Sequence, residues 1–186
     1  MRPLNVSETV HVLGKDYLLM KLLGHGKGGY SFLAECDGKE IVLKQIHHEP
    51  CDYYQFGNKF EAESCDYERL LQAGIRIPEM LEIDPDQEII IKQYIPGETV
   101  FTYVRDGKNI DSYLMQVKEM AQLARSYGLN IDYFPTNFII HDDLLWYVDY
   151  ECNTYMEEWN FENWGSRYWS DTPEFRDYLH QHPGML

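Results

Sequence analysis

The sequence predicts an α+β fold in two lobes, an antiparallel sheet with one helix followed by a small, mainly helical lobe. Three observations carry that expectation. Strand-length apolar runs joined by glycine turns fill the first half, apolar residues switch to helical spacing after Pro96-Gly97, and two short apolar runs around His141-Asp142-Asp143 read as a hairpin. With 186 residues the chain suffices for one ordinary domain or two small lobes, here expected as 1–95 and 96–186.

Taken in order, Tyr17 to Leu23 is an apolar strand that breaks at Gly24-His25-Gly26-Lys27-Gly28-Gly29. Tyr30 to Cys36 and Lys39 to Ile46 follow as strands joined by Asp37-Gly38, a strong hairpin signal. Gly24, Gly26 and Gly29 satisfy G-x-G-x-x-G, which in a dinucleotide-binding fold must open a helix. Strand signals follow here instead, so the loop suits folding over a nucleotide's phosphates from between two antiparallel strands. Lys44 interrupts the apolar Ile41-Val42-Leu43 just after that loop, where a lysine can reach phosphate. From about Asn58 to Ala73 the spacing predicts a helix stopped by Gly74, with Phe60, Tyr67, Leu70 and Leu71 as its apolar stripe. Glu63 falls roughly 40° from the stripe's centre, so it points inward and needs a cation, for which Lys44 is the natural choice.

After the strand-like Glu88 to Ile95, the run Ile110, Tyr113, Leu114, Val117, Met120, Ala121, Ala124 and Tyr127 predicts a long helix, with Asn109 as N-cap and Gly128 as stop. Phe138 to Ile140 and Leu144 to Val148 are then read as a hairpin whose open end carries Asn137 and Asp149. Asp132 approaches from an irregular segment broken by Pro135. An amide oxygen and a carboxylate at one spot suit a hard divalent cation, which needs few protein ligands when phosphate and water complete its shell. Trp159, Phe161, Trp164, Tyr168 and Trp169 are expected to complete a small core, and Pro173 to His180 to form a short helix.

Composition sets limits on partners. Apolar content of 44% and aromatic content of 15% argue against disorder. A net charge of -15, from 31 acidic against 16 basic residues, gives no electrostatic reason to bind nucleic acid or an anionic membrane, so any phosphate site must be built locally. Cys36, Cys51, Cys65 and Cys152 show no zinc-ligand spacing and read as free thiols of a reducing compartment. Met1 to Asp16 lacks a continuous apolar core, and no stretch approaches the ~18 apolar residues of a membrane span. A cytoplasmic protein is the expectation.

The order of glycine loop, strand lysine, inward glutamate, linker, Asp132-x-x-x-x-Asn137, hairpin and Asp149-Tyr150-Glu151 resembles the protein-kinase-like superfamily over nearly the whole chain. The resemblance implies that Gly24, Gly26 and Gly29 cover the phosphates of ATP, that Lys44 holds them, and that Glu63 orients Lys44. It implies that Asp132 serves the hydroxyl of the acceptor, that Asn137 and Asp149 hold Mg2+, and that Gln93 to Ile95 offer backbone groups to adenine. Asp149-Tyr150-Glu151 looks like the Asp-Phe-Glu of choline-kinase and aminoglycoside-phosphotransferase-like enzymes. The run Glu68 to Pro78 resembles those enzymes and the small atypical RIO-like protein kinases. Asn130 and Phe134 stand where many protein kinases have histidine and lysine, and no Ala-Pro-Glu follows Asp149. The resulting expectation is an ATP-dependent kinase acting on a hydroxyl. A protein serine or threonine is preferred because little chain remains to build a metabolite pocket; a small-molecule kinase and a pseudokinase binding module are the alternatives.

Overall fold

The computed structural model describes residues 3–26, 28–48 and 58–185; Lys27 of the glycine loop and Cys51 lie outside the described residues. The fold is α+β with antiparallel sheets and four α-helices among the described residues. Two compact units are present. Met1–Cys65 and Pro78–Tyr94 form one, and Asp66–Ile77 and Ile95–Leu186 the other.

The first unit is a six-stranded antiparallel sheet of β1 (Thr9–Val12), β2 (Lys15–His25), β3 (Gly29–Cys36), β4 (Lys39–Ile46), β5 (Met80–Asp84) and β6 (Ile89–Gln93), in the order β1-β2-β3-β4-β6-β5. The expected Asp37-Gly38 hairpin is present, with φ of 52° and 74° at its two turn residues, the backbone that matches strand twist. Its core gathers Val12, Tyr17, Leu19, Phe32, Ala34, Leu43, Ile89 and Ile91. The apolar run in β2 is only half spent on that core: Tyr17 and Leu19 are buried, whereas Leu18, Met20, Leu22 and Leu23 are exposed. Strand alternation with two register shifts accounts for the split.

Helix α1 (Lys59–Gln72) begins where the Asn58 side chain accepts the Glu61 N–H at 3.2 Å. It ends at Gly74, whose φ of +76° lets the Ile75 N–H reach back to the Leu70 carbonyl at 3.0 Å. Phe60 and Leu70 are buried as expected, but Leu71 is 47% exposed. It follows Leu70 by one residue, about 100° around the helix, and so leaves the stripe.

The second unit contains β7 (Glu98–Thr99), α2 (Val100–Arg105), α3 (Asp111–Ser126), β8 (Leu129–Ile131), β9 (Phe138–His141), β10 (Leu144–Tyr147), β11 (Cys152–Thr154) and α4 (Pro173–Gln181). The strands form a β10-β9-β7 sheet and a β11-β8 pair. The N-cap of α3 is Ile110, without a side-chain cap, and not the expected Asn109, which lies one residue earlier and accepts the Asp111 N–H at 2.9 Å; Gly128 follows the helix with φ of +70°. Tyr127, expected on the apolar face, is 56% exposed. Of the Trp-rich stretch, Phe161 and Trp169 are core, while Trp159 is 50% exposed and lies outside it. No helix among the described residues is long and apolar enough to cross a membrane.

Candidate functional site

The first cluster of expected site residues lies in the six-stranded unit. β2 and β3 are paired as far as His25 and Tyr30, whose rings stack at 4.2 Å and 3°, and the loop closes with the Gly26 N–H donating to the Gly29 carbonyl at 3.1 Å. His47, just past β4, bonds the Gly26 carbonyl through Nε2 at 2.9 Å. The glycines play different parts. A Cβ on Gly29 would lie 2.3 Å from the Gln45 carbonyl oxygen, so glycine is needed there for strand pairing. At Gly24 and Gly26 a Cβ would meet nothing within 4 Å and no positive φ is required, so neither packing nor strain explains them. A Cβ on Gly28 would meet Lys44 Nζ at 3.5 Å, which makes Gly28 the loop glycine nearest that ammonium.

Lys44 is buried, paired across the sheet with Ser31 and Ile90. Its Nζ lies 2.8 Å from Oε1 and 2.7 Å from Oε2 of Glu63, which is 9% exposed. The inward glutamate and strand lysine therefore meet as the helical periodicity required. Lys59, also buried, donates to the His47 carbonyl at 3.0 Å and ties the start of α1 to the end of β4. Because such buried pairs add little stability over an apolar replacement, this one calls for a reason other than folding.

The second cluster lies in the other unit, where two pairings converge. β8 and β11 pair Ile131 with Cys152, which brings Asp132 alongside Glu151. β9 and β10 pair Phe138 with Tyr147, and the Val148 N–H continues the ladder to the Asn137 carbonyl at 2.9 Å, leaving Asn137 and Asp149 at the open end. A 3-10 turn, Pro135–Asn137, connects Asp132 to this hairpin. Asp132 Oδ1 accepts the Phe134 N–H at 3.0 Å, Asp149 Oδ1 accepts the Tyr150 N–H at 2.8 Å, and the Asn137 amide nitrogen faces the Asp132 carbonyl at 3.4 Å.

Several supporting residues were not foreseen. The Tyr147 hydroxyl is fully buried, accepts the Asp132 N–H at 3.2 Å and donates to the Glu151 carbonyl at 2.7 Å. Burial, then the nearby Asp149 and Asp132, push its phenol well above the ordinary range. Alternation in Leu144-Leu145-Trp146-Tyr147 marks Tyr147 as inward, but nothing in the sequence marks its partners. The outer edge of β10 is held by Arg76, whose carbonyl accepts the Tyr147 N–H at 2.9 Å, and by Gln116, whose Oε1 accepts the Leu145 N–H at 2.8 Å. Beneath Asp132, Trp169 donates to the Tyr133 carbonyl at 2.7 Å, and Gly165 leaves room for Tyr133, whose Cβ would otherwise be 2.5 Å from a new methyl. Phe134 packs into an aromatic group with Phe101, Trp164, Tyr168 and Tyr178.

Of the expected adenine contacts, the Gln93 N–H is already engaged by the Glu79 carbonyl at 2.8 Å, and Ile95 is buried. No group of three or more His, Cys, Asp or Glu side chains converges among the described residues. Asn137 and Asp149 together can give a cation only two hard oxygen ligands, a set that fits magnesium whose shell is otherwise water and phosphate, and not a metal held by protein alone. A scan against models of known protein families finds no match to this chain, and a search of curated proteins finds none either.

Proposed function

We propose that the chain is an ATP-dependent phosphotransferase of protein-kinase-like architecture that transfers the γ-phosphoryl group to a hydroxyl, with a protein serine or threonine preferred over a small alcohol. The observation that carries this reading is the buried Lys44–Glu63 pair, with Nζ 2.7 and 2.8 Å from the two carboxylate oxygens, directly below Gly28 of the glycine loop. An ammonium fixed in this way is a preorganised counter-charge for phosphate, worth most where water is excluded. Gly24 and Gly26, which packing does not demand, leave backbone room for phosphate oxygens.

Phosphoryl transfer needs little covalent chemistry from a protein, so the residues act by position and charge. Lys44 holds the phosphates, and Glu63 keeps Lys44 from leaving. Asp132, its loop fixed by the Phe134 N–H and the Tyr147 hydroxyl, orients the acceptor hydroxyl and takes its proton. Asn137 and Asp149 hold magnesium, which when bound offsets the negative charge on the phosphates.

Transfer of label from [γ-32P]ATP to a panel of metabolites and to generic protein acceptors tests the reading. Magnesium-dependent transfer to protein, abolished by Asp149→Ala, is expected. Transfer to a metabolite alone assigns the chain to the small-molecule class that Asp149-Tyr150-Glu151 resembles. Absence of all turnover, with Mg-ATP still raising the melting temperature, would leave a nucleotide-binding pseudokinase.

A further inference from the structure

We propose that Tyr147 is the positioning residue that couples Asp132 to the Asp149–Glu151 segment, a role that rests on the phosphotransferase reading above. The β8–β11 ladder pairs Leu129 with Thr154, Asn130 with Asn153 and Ile131 with Cys152. Its next step would set Asp132 opposite Glu151. There the ladder stops, and the Tyr147 hydroxyl stands between the two strands, accepting from the Asp132 N–H at 3.2 Å and donating to the Glu151 carbonyl at 2.7 Å. One oxygen therefore fixes the backbone of the residue that serves the acceptor and that of the segment carrying a metal ligand.

The ring that carries this hydroxyl is itself held. Tyr147 is 0% exposed, its ring packs on Phe138 at 5.2 Å, and its N–H is bound by the Arg76 carbonyl at 2.9 Å. A phenylalanine would fill the same apolar space. The hydroxyl is not needed for volume, and burying it unpaired would be unfavourable, so its two bonds are what the position selects.

The test is Tyr147→Phe, with Tyr17→Phe as a control that removes a buried tyrosine hydroxyl from the other unit. In Tyr147→Phe, kcat is expected to fall about 10- to 100-fold, the loss typical of a misplaced reacting group. KM for ATP should change less than about 3-fold, because Lys44 and the glycine loop are untouched. Hydrogen exchange at the Asp132 amide should speed up in Tyr147→Phe and not in Tyr17→Phe. If Tyr147→Phe fails to fold, Tyr147→His, which keeps a ring nitrogen but stops short of Glu151, is expected to show the same loss of kcat. Wild-type kcat in either folded variant overturns the role of Tyr147 alone. A wild-type chain without Mg-ATP turnover overturns the phosphotransferase reading, and the positioning role with it. A merely structural role is recognised by a lower melting temperature with kcat and Asp132 exchange unchanged, which also overturns the proposal.

Discussion

At the scale of single residues, the Lys44–Glu63 contact was legible because the glycine loop singles out Lys44 and helical periodicity turns Glu63 inward. Lys44 interrupts the apolar run Ile41-Val42-Leu43 just after the glycine loop, and Glu63 lies near the centre of a helical stripe. Both are buried, and removing one partner takes from the other a counter-charge 2.7 Å away. Glu63→Ala should therefore lower unfolding stability by about 3–5 kcal/mol, read from urea denaturation, whereas the double replacement Lys44→Met with Glu63→Leu should recover most of it. A loss below about 1 kcal/mol for the single change would mean that the pair is solvated in solution. The glycine motif was legible only as a pattern. Gly29→Ala, with its methyl 2.3 Å from the Gln45 carbonyl, should cost about 1–3 kcal/mol, while Gly26→Ala should leave stability nearly unchanged and reduce nucleotide turnover. Equal melting temperatures for the two variants would contradict this division. The partners of Tyr147 and Gln116 were not legible: Gln116 binds a backbone group 29 residues on, and the Tyr147 hydroxyl joins Asp132, 15 residues back, to Glu151, four residues on, which no strand pattern encodes.

At the scale of elements, the long strands and helices were readable and the short ones were not. β7, β8 and β11 have two or three residues, too few for alternation to register. Helix α2 is built from Val100, Phe101, Tyr103 and Val104, residues that favour strands, and forms because Thr99 caps it by accepting the Thr102 N–H at 3.2 Å. In the β9–β10 hairpin the expected turn was His141-Asp142-Asp143, but His141 pairs with Leu144 and belongs to β9. The turn is the two residues Asp142 and Asp143, with φ of 49° and 58°, since a two-residue loop of that hand matches the twist of its strands. Aspartate tolerates this backbone less well than Asn-Gly does. Asp142→Asn combined with Asp143→Gly should raise stability by about 1 kcal/mol, or roughly 2–4 °C in melting temperature. A drop in melting temperature would contradict the assignment of the turn.

At the scale of the whole molecule, the α+β class was legible from the change of period after Pro96-Gly97, and the passage between units after Tyr94 lies one residue from the boundary expected there, while the passages after Cys65 and after Ile77 were not legible. The sequence marks a linker by Pro and Gly but carries no sign that Asp66–Ile77 contacts residues such as Cys152, whose N–H donates to Asp66 Oδ2 at 3.2 Å. Ionisation adds a whole-chain prediction. Burial, with Glu82 nearby, pushes Tyr17 up to about 12 from 10.0, and burial beside Asp66 pushes Cys152 up to about 12 from 9.0. Both groups keep their protons in the fold at pH values where the unfolded chain has lost them. Their contribution is complete below about pH 9 and is lost as the pH rises to about 12. Urea midpoints should be level up to about pH 9 and decline above it, with the decline between pH 9 and 10 shallower in Cys152→Ala; level midpoints to pH 11 would contradict this.

The account as a whole stands or falls on nucleotide binding that depends on magnesium, and titration calorimetry with a non-hydrolysable ATP analogue measures it directly. The expected result is one site per chain whose affinity requires Mg2+ and falls at least about 10-fold in both Lys44→Met and Asp149→Ala, the loss expected for a charge-assisted contact. No binding at millimolar analogue with Mg2+ present, or binding that both variants retain in full, would contradict it.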